Sequence, residues 1–239
     1  MADTTMIKKY LAMSDISLGT DELAGKFGTL LDLLKEWNEK FNLTSITEDT
    51  EVVIKHFIDS LMLVKSNKSQ SWQTIIDIGT GAGFPGIPLA IIFPEKEVFL
   101  SDSNGKKILF LKQIQESLGL KNITILHGRS EVLSHSKKLR ENFDMSVMRA
   151  LAAFPVALEL SSGLVKPGGQ IIYYASAKQA SEITKDMKCL KELGCVLNGM
   201  QEYILPEDMG THSIVSVNKL WKTPFKYPRA YGVIKKKPL

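Results

Sequence analysis

One short segment sets the architecture of this chain, and it reads Ile75-Ile76-Asp77-Ile78-Gly79-Thr80-Gly81-Ala82-Gly83-Phe84-Pro85-Gly86. An apolar run typical of a buried strand passes into alternating glycines, which let the backbone turn sharply and approach a ligand closely. The helix expected next points its N-terminus at that ligand. The segment therefore predicts a nucleotide-like cofactor at the carboxyl end of the first strand of an α/β sheet.

The sequence around this segment alternates short apolar runs with helical patterns. The predicted strands are Ile75–Ile78, Val98–Ser101, Ile123–His127, Met145–Met148 and Gln170–Ala175, with helices near 86–93, 105–118, 130–140, 153–164 and 178–193. Because these strands are apolar on both faces and connected by helices, they predict a buried parallel sheet with right-handed crossovers. Two further strands, Val196–Leu205 and Ser213–Leu220, are separated by too few residues for a helix, so they predict an antiparallel hairpin.

The residues before the sheet have a different pattern. Residues 21–38 carry one apolar stripe, typical of an amphipathic helix and formed by Leu23, Phe27, Leu30, Leu31, Leu34 and Trp37. A second helix is predicted from Thr50 to Val64, after the segment Ser45-Ile46-Thr47-Glu48, which has the pattern of a capping box. We expect an N-terminal helical cap (1–73), a core (74–220) and a C-terminal tail (221–239), which together form a single compact domain.

Composition narrows the class of protein. The 239 residues are 44% hydrophobic and 23% charged, as in ordinary globular proteins. Residues Met1–Met13 lack the apolar run of a signal peptide, and the most apolar stretch, Phe84–Phe93, is far shorter than the roughly 20 residues that span a bilayer. Two cysteines, Cys189 and Cys195, are too few for a disulfide scaffold. We expect a cytoplasmic, monomeric protein with no membrane partner.

The basic charge of the chain is concentrated at its C-terminus. Residues 219–239 hold seven of the 30 basic residues and none of the 26 acidic ones. Aromatic residues alternate with these cations, as in segments that bind phosphates and stack on bases. The candidate nucleic-acid contacts are Lys222, Lys226, Arg229, Lys235 and Lys236. A tail that packs on the domain, or that is simply solvated, is the alternative explanation.

Two cofactor classes fit the glycine segment, because it also satisfies the dinucleotide pattern G-x-G-x-x-G. Asp102, at the end of the second strand, can accept hydrogen bonds from a ribose in either class. Asp77 favours a cationic ligand over a pyrophosphate, by direct attraction or by holding the glycine loop. The terminal antiparallel hairpin also fits a methyltransferase sheet better than an all-parallel dinucleotide fold. These features favour S-adenosylmethionine, with a nicotinamide-dependent dehydrogenase as the alternative.

Motifs spread nearly from end to end of the chain carry a family resemblance. They are Glu36-Trp37-Asn38, Asn42-Leu43-Thr44-Ser45-Ile46, His56-Phe57-Ile58-Asp59-Ser60-Leu61, the segment 77–86, Arg149-Ala150, Leu164-Val165-Lys166-Pro167-Gly168-Gly169 and Lys226-Tyr227-Pro228-Arg229. On these motifs the chain resembles the bacterial glucose-inhibited division protein B family, the 16S ribosomal RNA guanine-N7 methyltransferases. The resemblance implies a Rossmann-like, seven-stranded methyltransferase fold, S-adenosyl-L-methionine as cofactor, and ribosomal RNA or the small ribosomal subunit as partner.

The resemblance also implies which residues contact the cofactor. The expected contacts are Gly79, Gly81, Phe84, Asp102, Ser130, Glu131 and Arg149. Arg149 would bind the methionine carboxylate or else a guanine edge, and a surface ion pair is the alternative for this residue. The chain departs from the family in the segment Asp102-Ser103-Asn104-Gly105-Lys106-Lys107, which usually reads Asp-Ser-Leu-x-Lys-Arg, and at Ser130, where Ala is common.

Missing motifs bear on the reaction. After the fourth predicted strand, residues 148–155 hold neither the Asn/Asp-Pro-Pro-aromatic motif that engages exocyclic amines nor a Pro-Cys pair. Guanine N7 carries a free lone pair, so alignment of nucleophile, methyl and sulfur supplies much of the rate without a base or a covalent enzyme intermediate. No catalytic residue is therefore assigned. The histidines His127, His135 and His212 lack metal-ligand spacing, so no metal is expected.

Two polar residues of the cap leave a choice open. His56 and Asp59 share one helix face, and with Asn42 and Thr44 they either line the pocket or join the cap to the core by hydrogen bonds.

For the function of the whole chain, the alternative from a different functional class is a non-catalytic RNA-binding assembly factor.

Overall fold

The computed structural model describes residues 4–16, 21–66, 71–183 and 188–239. Parts of two sequence predictions, the middle of the polar linker Lys65–Gln73 and residues 184–187 of the helix predicted over 178–193, lie outside the described residues. Across the described ranges, no helix has the length and apolar character needed to cross a membrane.

A seven-stranded sheet forms the centre of the molecule, with strand order β3-β2-β1-β4-β5-β7-β6. The strands are β1 Thr74–Ile78, β2 Glu97–Asp102, β3 Ile123–His127, β4 Phe143–Arg149, β5 Val165–Ser176, β6 Cys195–Ile204 and β7 Thr211–Lys219. Strands β1 to β5 pair in parallel, and β7 pairs antiparallel with β5 and β6. The predicted parallel sheet and terminal hairpin are both confirmed. The strand order reverses between β1 and β4, where ligands bind in open α/β sheets.

Helices cover both faces of this sheet. They are α1 Thr4–Met13, α2 Asp21–Phe41, α3 Asp49–Val52, α4 Asp59–Ser66, α5 Gly86–Ile92, α6 Gly105–Ser117, α7 Ser130–Leu133, α8 Phe154–Ser162, α9 Ala177–Ile183, α10 Lys188–Glu192 and α11 Tyr231–Lys236. Neighbouring side chains of β1 point to opposite faces, so Ile75 joins one buried cluster and Ile76 the other. Burial on both faces explains why β1 has no polar alternation.

Several helix predictions differ from the structure. The helix predicted over 130–140 is only the four-residue α7, because Ser134 and Arg140 beyond it hydrogen-bond to other parts of the chain. The predicted capping box does not form, since the helix begins at Asp49 and its N-cap, Glu48, makes no side-chain cap bond. Helix α1, which buries Ile7 against the other cap helices, was not predicted.

The second cap helix is interrupted by a π-helical segment, Val53–Ile58, between α3 and α4. π-Helical turns are rare and occur often at functional sites. This one places the Lys55 carbonyl where it accepts a hydrogen bond from Arg149 at the end of β4, at 2.9 Å. The π-helical segment therefore lies where the cap contacts the carboxyl end of β4.

Aromatic packing fixes the cap on the sheet. The ring centroids of Phe27 and Phe57 are 5.3 Å apart, and those of Phe57 and Phe84 are 5.8 Å apart. These residues belong to one hydrophobic cluster that runs from the cap helices into β1 and α5. Full burial of each such ring contributes about 1.5–3 kcal/mol. The cap is consequently part of the same core as the glycine segment.

The C-terminal tail folds back on the core. Ile234 of α11 is fully buried against Val156 and Leu160 of α8, and Tyr227 is also buried. The sequence did not decide between a tail that packs on the domain and one that is solvated. In the structure, Tyr227 and Ile234 pack on the domain. The lysines of the tail beyond Lys219 are exposed, namely Lys222, Lys226, Lys235, Lys236 and Lys237.

Candidate cofactor and RNA site

The glycine segment forms a tight turn directly after β1. Gly79, Gly81 and Gly83 all have positive φ angles, of 67°, 63° and 93°. A side chain is excluded at Gly79 for a second reason, because a Cβ there would meet the Leu151 side chain at 2.5 Å. The turn therefore requires glycine both for its backbone conformation and for close approach to the loop after β4.

A buried aspartate holds this turn from beneath. Asp77 Oδ2 accepts hydrogen bonds from Thr80 Oγ1 at 2.6 Å and from the Gly86 backbone N–H at 2.7 Å. The other carboxylate oxygen has no hydrogen-bond partner within the described residues. Burial raises the pKa of Asp77 to about 7, despite the two hydrogen bonds. Of the two roles considered for Asp77, the contacts show that it holds the glycine loop.

A second carboxylate lies at the end of β2, beside the turn. Asp102 Oδ2 accepts from the Gly81 N–H at 3.0 Å, and Oδ1 accepts from the Asn104 N–H at 2.8 Å. The Lys107 ammonium lies 3.7 Å from Oδ2. A carboxylate has about four lone-pair sites, so Asp102 keeps acceptor capacity for hydroxyl groups of a ligand.

A cavity of about 360 Å³ opens at this edge of the sheet, within the usual size range of small-molecule sites. Four of the predicted cofactor residues line it: Gly79, Asp102, Ser130 and Glu131. Gly81 lies next to it through its hydrogen bond to Asp102. The other lining residues are Ser101, Ser103, Lys107, Gly128, Arg129, Ala150, Leu151, Leu160 and Tyr231.

Two predicted cofactor residues, Phe84 and Arg149, are not among the residues that line this cavity. Phe84 is buried, and its ring stacks on that of His56 at 4.7 Å between centroids. The Arg149 guanidinium packs over the Phe84 ring at 5.5 Å and faces the cap. Both side chains lie on the cap side of the strand ends. For Arg149 the reason is that the cap supplies the hydrogen-bond partners that a buried guanidinium requires.

A polar network on the cap side engages Arg149. Its Nη1 donates to Asp59 Oδ2 at 2.7 Å, and its Nη2 lies 3.2 Å from His56 Nδ1. Asp59 Oδ1 also accepts from Tyr203 Oη at 2.6 Å and lies 2.8 Å from His212 Nδ1. Arg149 thus forms an ion pair with a buried partner, and His56 and Asp59 join the cap to the core.

Charge explains how this network tolerates burial. Burial alone would raise the pKa of Asp59, but the His212 hydrogen bond and the Arg149 charge outweigh it and hold the pKa below its usual value. Burial and the nearby Arg149 charge lower the pKa of His56 to about 3. His56 is therefore neutral, so its Nδ1 accepts from Arg149 and its Nε2 donates to Thr44 Oγ1, 2.9 Å away.

The predicted RNA contacts in the tail fall into two groups. Lys222, Lys226, Lys235 and Lys236 are exposed, as phosphate-binding residues must be. Arg229 is instead engaged by Glu159 of α8, which is fully buried and accepts from Nη2 at 2.6 Å and from Nε at 2.8 Å. The role of Arg229 in the structure is to hold the tail, because removing it would leave a buried carboxylate without its cation.

Sequence reasoning missed several residues of the cavity. Leu151, Leu160 and Tyr231 supply its large apolar side chains, and Lys107 supplies a cation. Ala150, directly after Arg149, has a φ of 53°, which is unusual for a residue with a side chain and occurs often at functional sites. The Arg149-Ala150 motif marked this position in the sequence, but nothing there connected Tyr231 to the cavity.

The cavity fits the predicted cofactor in its chemistry. It combines a glycine turn that admits close backbone approach, a carboxylate suited to a ribose diol, and apolar side chains that can pack on a ligand. Among the described residues, no group of three or more histidine, cysteine, aspartate or glutamate side chains could hold a metal ion. Cys189 and Cys195 are both buried and form no disulfide.

Comparison with known proteins identifies the family. The family described as rRNA small subunit methyltransferase G matches residues 24–203. The chain belongs to this family. It is 44% identical over 207 residues to the ribosomal RNA small subunit methyltransferase G of Thermoanaerobacter sp. (strain X514), covering 87% of this chain and 86% of that protein. It is 39% identical to the Clostridium tetani (strain Massachusetts / E88) protein of the same name, over 95% and 96% of the two chains.

A solved structure agrees on the fold. A SAM-dependent methyltransferase from Aquifex aeolicus superposes with a TM-score of 0.55 at 15% identity, covering 74% of this chain and 96% of that one. The Rossmann-like methyltransferase fold and the family predicted from sequence are therefore confirmed. The predicted enzyme class and cofactor, an rRNA methyltransferase that depends on S-adenosylmethionine, are confirmed with the family.

Proposed function

We propose that this enzyme methylates N7 of a guanine in 16S ribosomal RNA by in-line SN2 transfer, with no covalent enzyme intermediate. The observation that carries the proposal is the cavity over the glycine turn, which brings Gly79, Asp102, Ser130 and Glu131 together at the carboxyl edge of the sheet. S-adenosylmethionine brings to this site a methyl group activated by a positively charged sulfur.

The residues of the cavity divide the work of holding the cofactor. Gly79 and Gly81 would let the backbone approach the ligand, and Asp102 would accept hydrogen bonds from the ribose hydroxyls. Ser130 and Glu131 begin α7 and would contact the far end of the nucleoside. Asp77 lies beneath the glycine turn, and its hydrogen bonds with Thr80 and Gly86 hold that turn in place.

The chain's own groups support a mechanism that depends on positioning. N7 of guanine needs no deprotonation, so no side chain has to act as a base. The two thiols are unsuited to covalent catalysis because both are buried, and burial raises the pKa of Cys195 to about 11. Arg149 and the cap would shape the crevice into which a single unpaired base enters.

We assign RNA binding to the exposed lysines of the tail, Lys222, Lys226, Lys235 and Lys236, and assign Arg229 to anchoring the tail. These cations would neutralise phosphates without reading sequence. We further propose that the enzyme acts as a monomer in the cytoplasm, where ribosomal subunits assemble and where free thiols stay reduced.

Mass mapping of modified bases in small-subunit rRNA tests the reaction directly. We expect one 7-methylguanosine to disappear in cells that lack this protein and to return with the wild-type chain but not with Gly79→Asp. Calorimetry should show binding of S-adenosylhomocysteine and none of NAD. The proposal is wrong if the modification is independent of the protein, or if Gly79→Asp loses cofactor binding yet restores modification.

Salt dependence of RNA binding tests the role of the tail. The double variant Lys235→Ala/Lys236→Ala should lower the slope of log K against log salt by about 1.4, from about 0.7 for each lost contact to single-stranded RNA. Lys112→Ala/Lys121→Ala removes the same charge from exposed positions outside the tail and serves as the control. Equal slopes for the two variants would show that Lys235 and Lys236 do not contact RNA.

A further inference from the structure

One wall of the cofactor cavity comes from the C-terminal tail. Tyr231, the first residue of α11, lines the cavity together with Leu151 and Leu160. The matched family region ends at residue 203, so Tyr231 lies outside it. The tail therefore reaches the cofactor site as well as carrying the exposed lysines.

The position of Tyr231 is fixed from both sides along the chain. Three residues later, Ile234 is fully buried against Val156 and Leu160 of α8. Two residues earlier, Arg229 donates to the buried Glu159 through Nε, Nη2 and its backbone N–H, at 2.8, 2.6 and 2.9 Å. A bidentate arginine–carboxylate pair is among the more rigid polar contacts. Tyr231 is consequently held against the cavity.

The segment before Arg229 is fastened to the core as well. Arg140 Nη2 donates to the Thr223 carbonyl at 2.8 Å, and its Nη1 donates to the Tyr227 carbonyl at 3.1 Å. His135 Nε2 lies 2.9 Å from the Pro228 carbonyl. These contacts come from residues 134–140, where the sequence predicted a continuous helix. The loop there is used to bind the tail, which explains why the helix stops after α7.

The lining of the cavity shows what surrounds Tyr231. Leu151, Leu160 and Tyr231 are its large apolar or aromatic side chains. Leu151 lies against the glycine turn, because a Cβ at Gly79 would meet its side chain at 2.5 Å. A ligand seated over this turn therefore shares the cavity with the Tyr231 ring, and an aromatic side chain there can cover its apolar atoms.

We propose that Tyr231 is a cofactor-binding residue whose ring packs on the bound cofactor, so that the tail completes the S-adenosylmethionine site. This inference rests on the proposed assignment of the cavity to the cofactor. It gives the tail two separate duties, because its exposed lysines face RNA while Tyr231 faces the cavity.

Calorimetric titration with S-adenosylhomocysteine tests the inference. We expect Tyr231→Ala to raise Kd about tenfold or more, as loss of a large buried aromatic contact does. Tyr231→Phe keeps the ring and should bind within about twofold of wild type. Val233→Ala, an exposed residue of the same helix, is the matched control and should leave Kd unchanged.

The melting temperature without ligand separates binding from folding. If Tyr231→Ala keeps this temperature and loses affinity, the inference stands; if it keeps wild-type affinity, the inference is overturned while the proposed function survives. If Tyr231→Ala lowers the melting temperature, Tyr231→Leu decides, because it keeps apolar bulk without an aromatic ring. Weaker binding by Tyr231→Leu supports contact through the aromatic ring, and unchanged binding refutes it. Failure of the wild type to bind refutes the proposed function itself.

Discussion

Asp59 and Asp77 are both buried, 2% and 0% exposed, yet their surroundings move their pKa values in opposite directions. Asp59 pairs with the Arg149 cation and has further partners in Tyr203 and His212, and its pKa falls. Asp77 accepts from two neutral donors on one oxygen only, and its pKa rises to about 7. Burial thus sets the cost of the charge, and the partners decide whether the charge remains.

The two aspartates also serve different parts of the molecule. Asp59 ties the cap to β4 and to the terminal hairpin, so it acts on the free energy of folding. Asp77 holds the turn that carries Gly79, so we expect its region to act on ligand binding. Variants in the two regions should therefore separate loss of stability from loss of cofactor affinity.

The largest effect is expected for Asp59→Asn. Removing this carboxylate charge leaves the Arg149 guanidinium without its anion in a largely buried site, which costs about 3–5 kcal/mol of unfolding free energy. Equilibrium denaturation with urea measures the loss. Asp21→Asn, which removes an exposed ion-pair partner of Lys8, is the control and should be neutral. A loss as small as that of the control would mean that Asp59 is not the anchor of the cap.

In the other region, Gly79→Asp should reduce affinity for S-adenosylhomocysteine by about 100-fold or more, because its side chain would collide with Leu151 at the cavity. Calorimetry measures the change. Gly119→Asp is matched in backbone strain, with a φ of 60°, but has open space around it and lies outside the cavity lining. If both variants lost affinity equally, general strain rather than the cavity would be responsible.

The smallest effect is a pH dependence. Between the ordinary pKa of 3.8 and about 7, folded Asp77 keeps a proton that the unfolded chain has lost, so its contribution to stability falls as pH rises. The slope is at most about 1.4 kcal/mol per pH unit. Asp77→Asn cannot lose this proton and should gain stability relative to wild type between pH 5 and pH 8, measured by urea denaturation. A constant difference across this range would show that Asp77 does not titrate there.

Much of the fold could be predicted because the central strands β1, β2 and β4 are largely buried on both faces. Each core strand is an apolar run, and the short connection between Leu205 and Ser213 left only a hairpin. Helix ends were less predictable where tertiary contacts override local pattern. The segment 134–140 is helical by pattern but binds the tail through His135 and Arg140 instead.

The sequence predicted residues at the edge of the sheet where the cavity opens, but not which of them line the cavity and which face the cap. Motifs place Gly79, Asp102 and Arg149 at strand ends, and parallel strands bring those ends together. The position of Arg149 at the end of β4 does not decide whether its side chain faces the cavity or the cap. The cap decides it, because Lys55 and Asp59 supply the hydrogen-bond partners of Arg149. Tyr231 was missed as a cavity residue because its approach depends on Glu159 and Ile234, whose burial no local pattern indicates.

The partners of Asp59 constrain the order in which the molecule matures. Tyr203 and His212 follow Asp59 in the sequence by 144 and 153 residues, and β7 inserts between β5 and β6. A nascent chain that ends at β5 can form the parallel strands. Its Asp59, however, still lacks the donors Tyr203 and His212, which follow β5 in the sequence. Because such distant contacts form slowly, we expect the cap to become protected from hydrogen exchange together with the last hairpin, and not with the parallel strands that precede it.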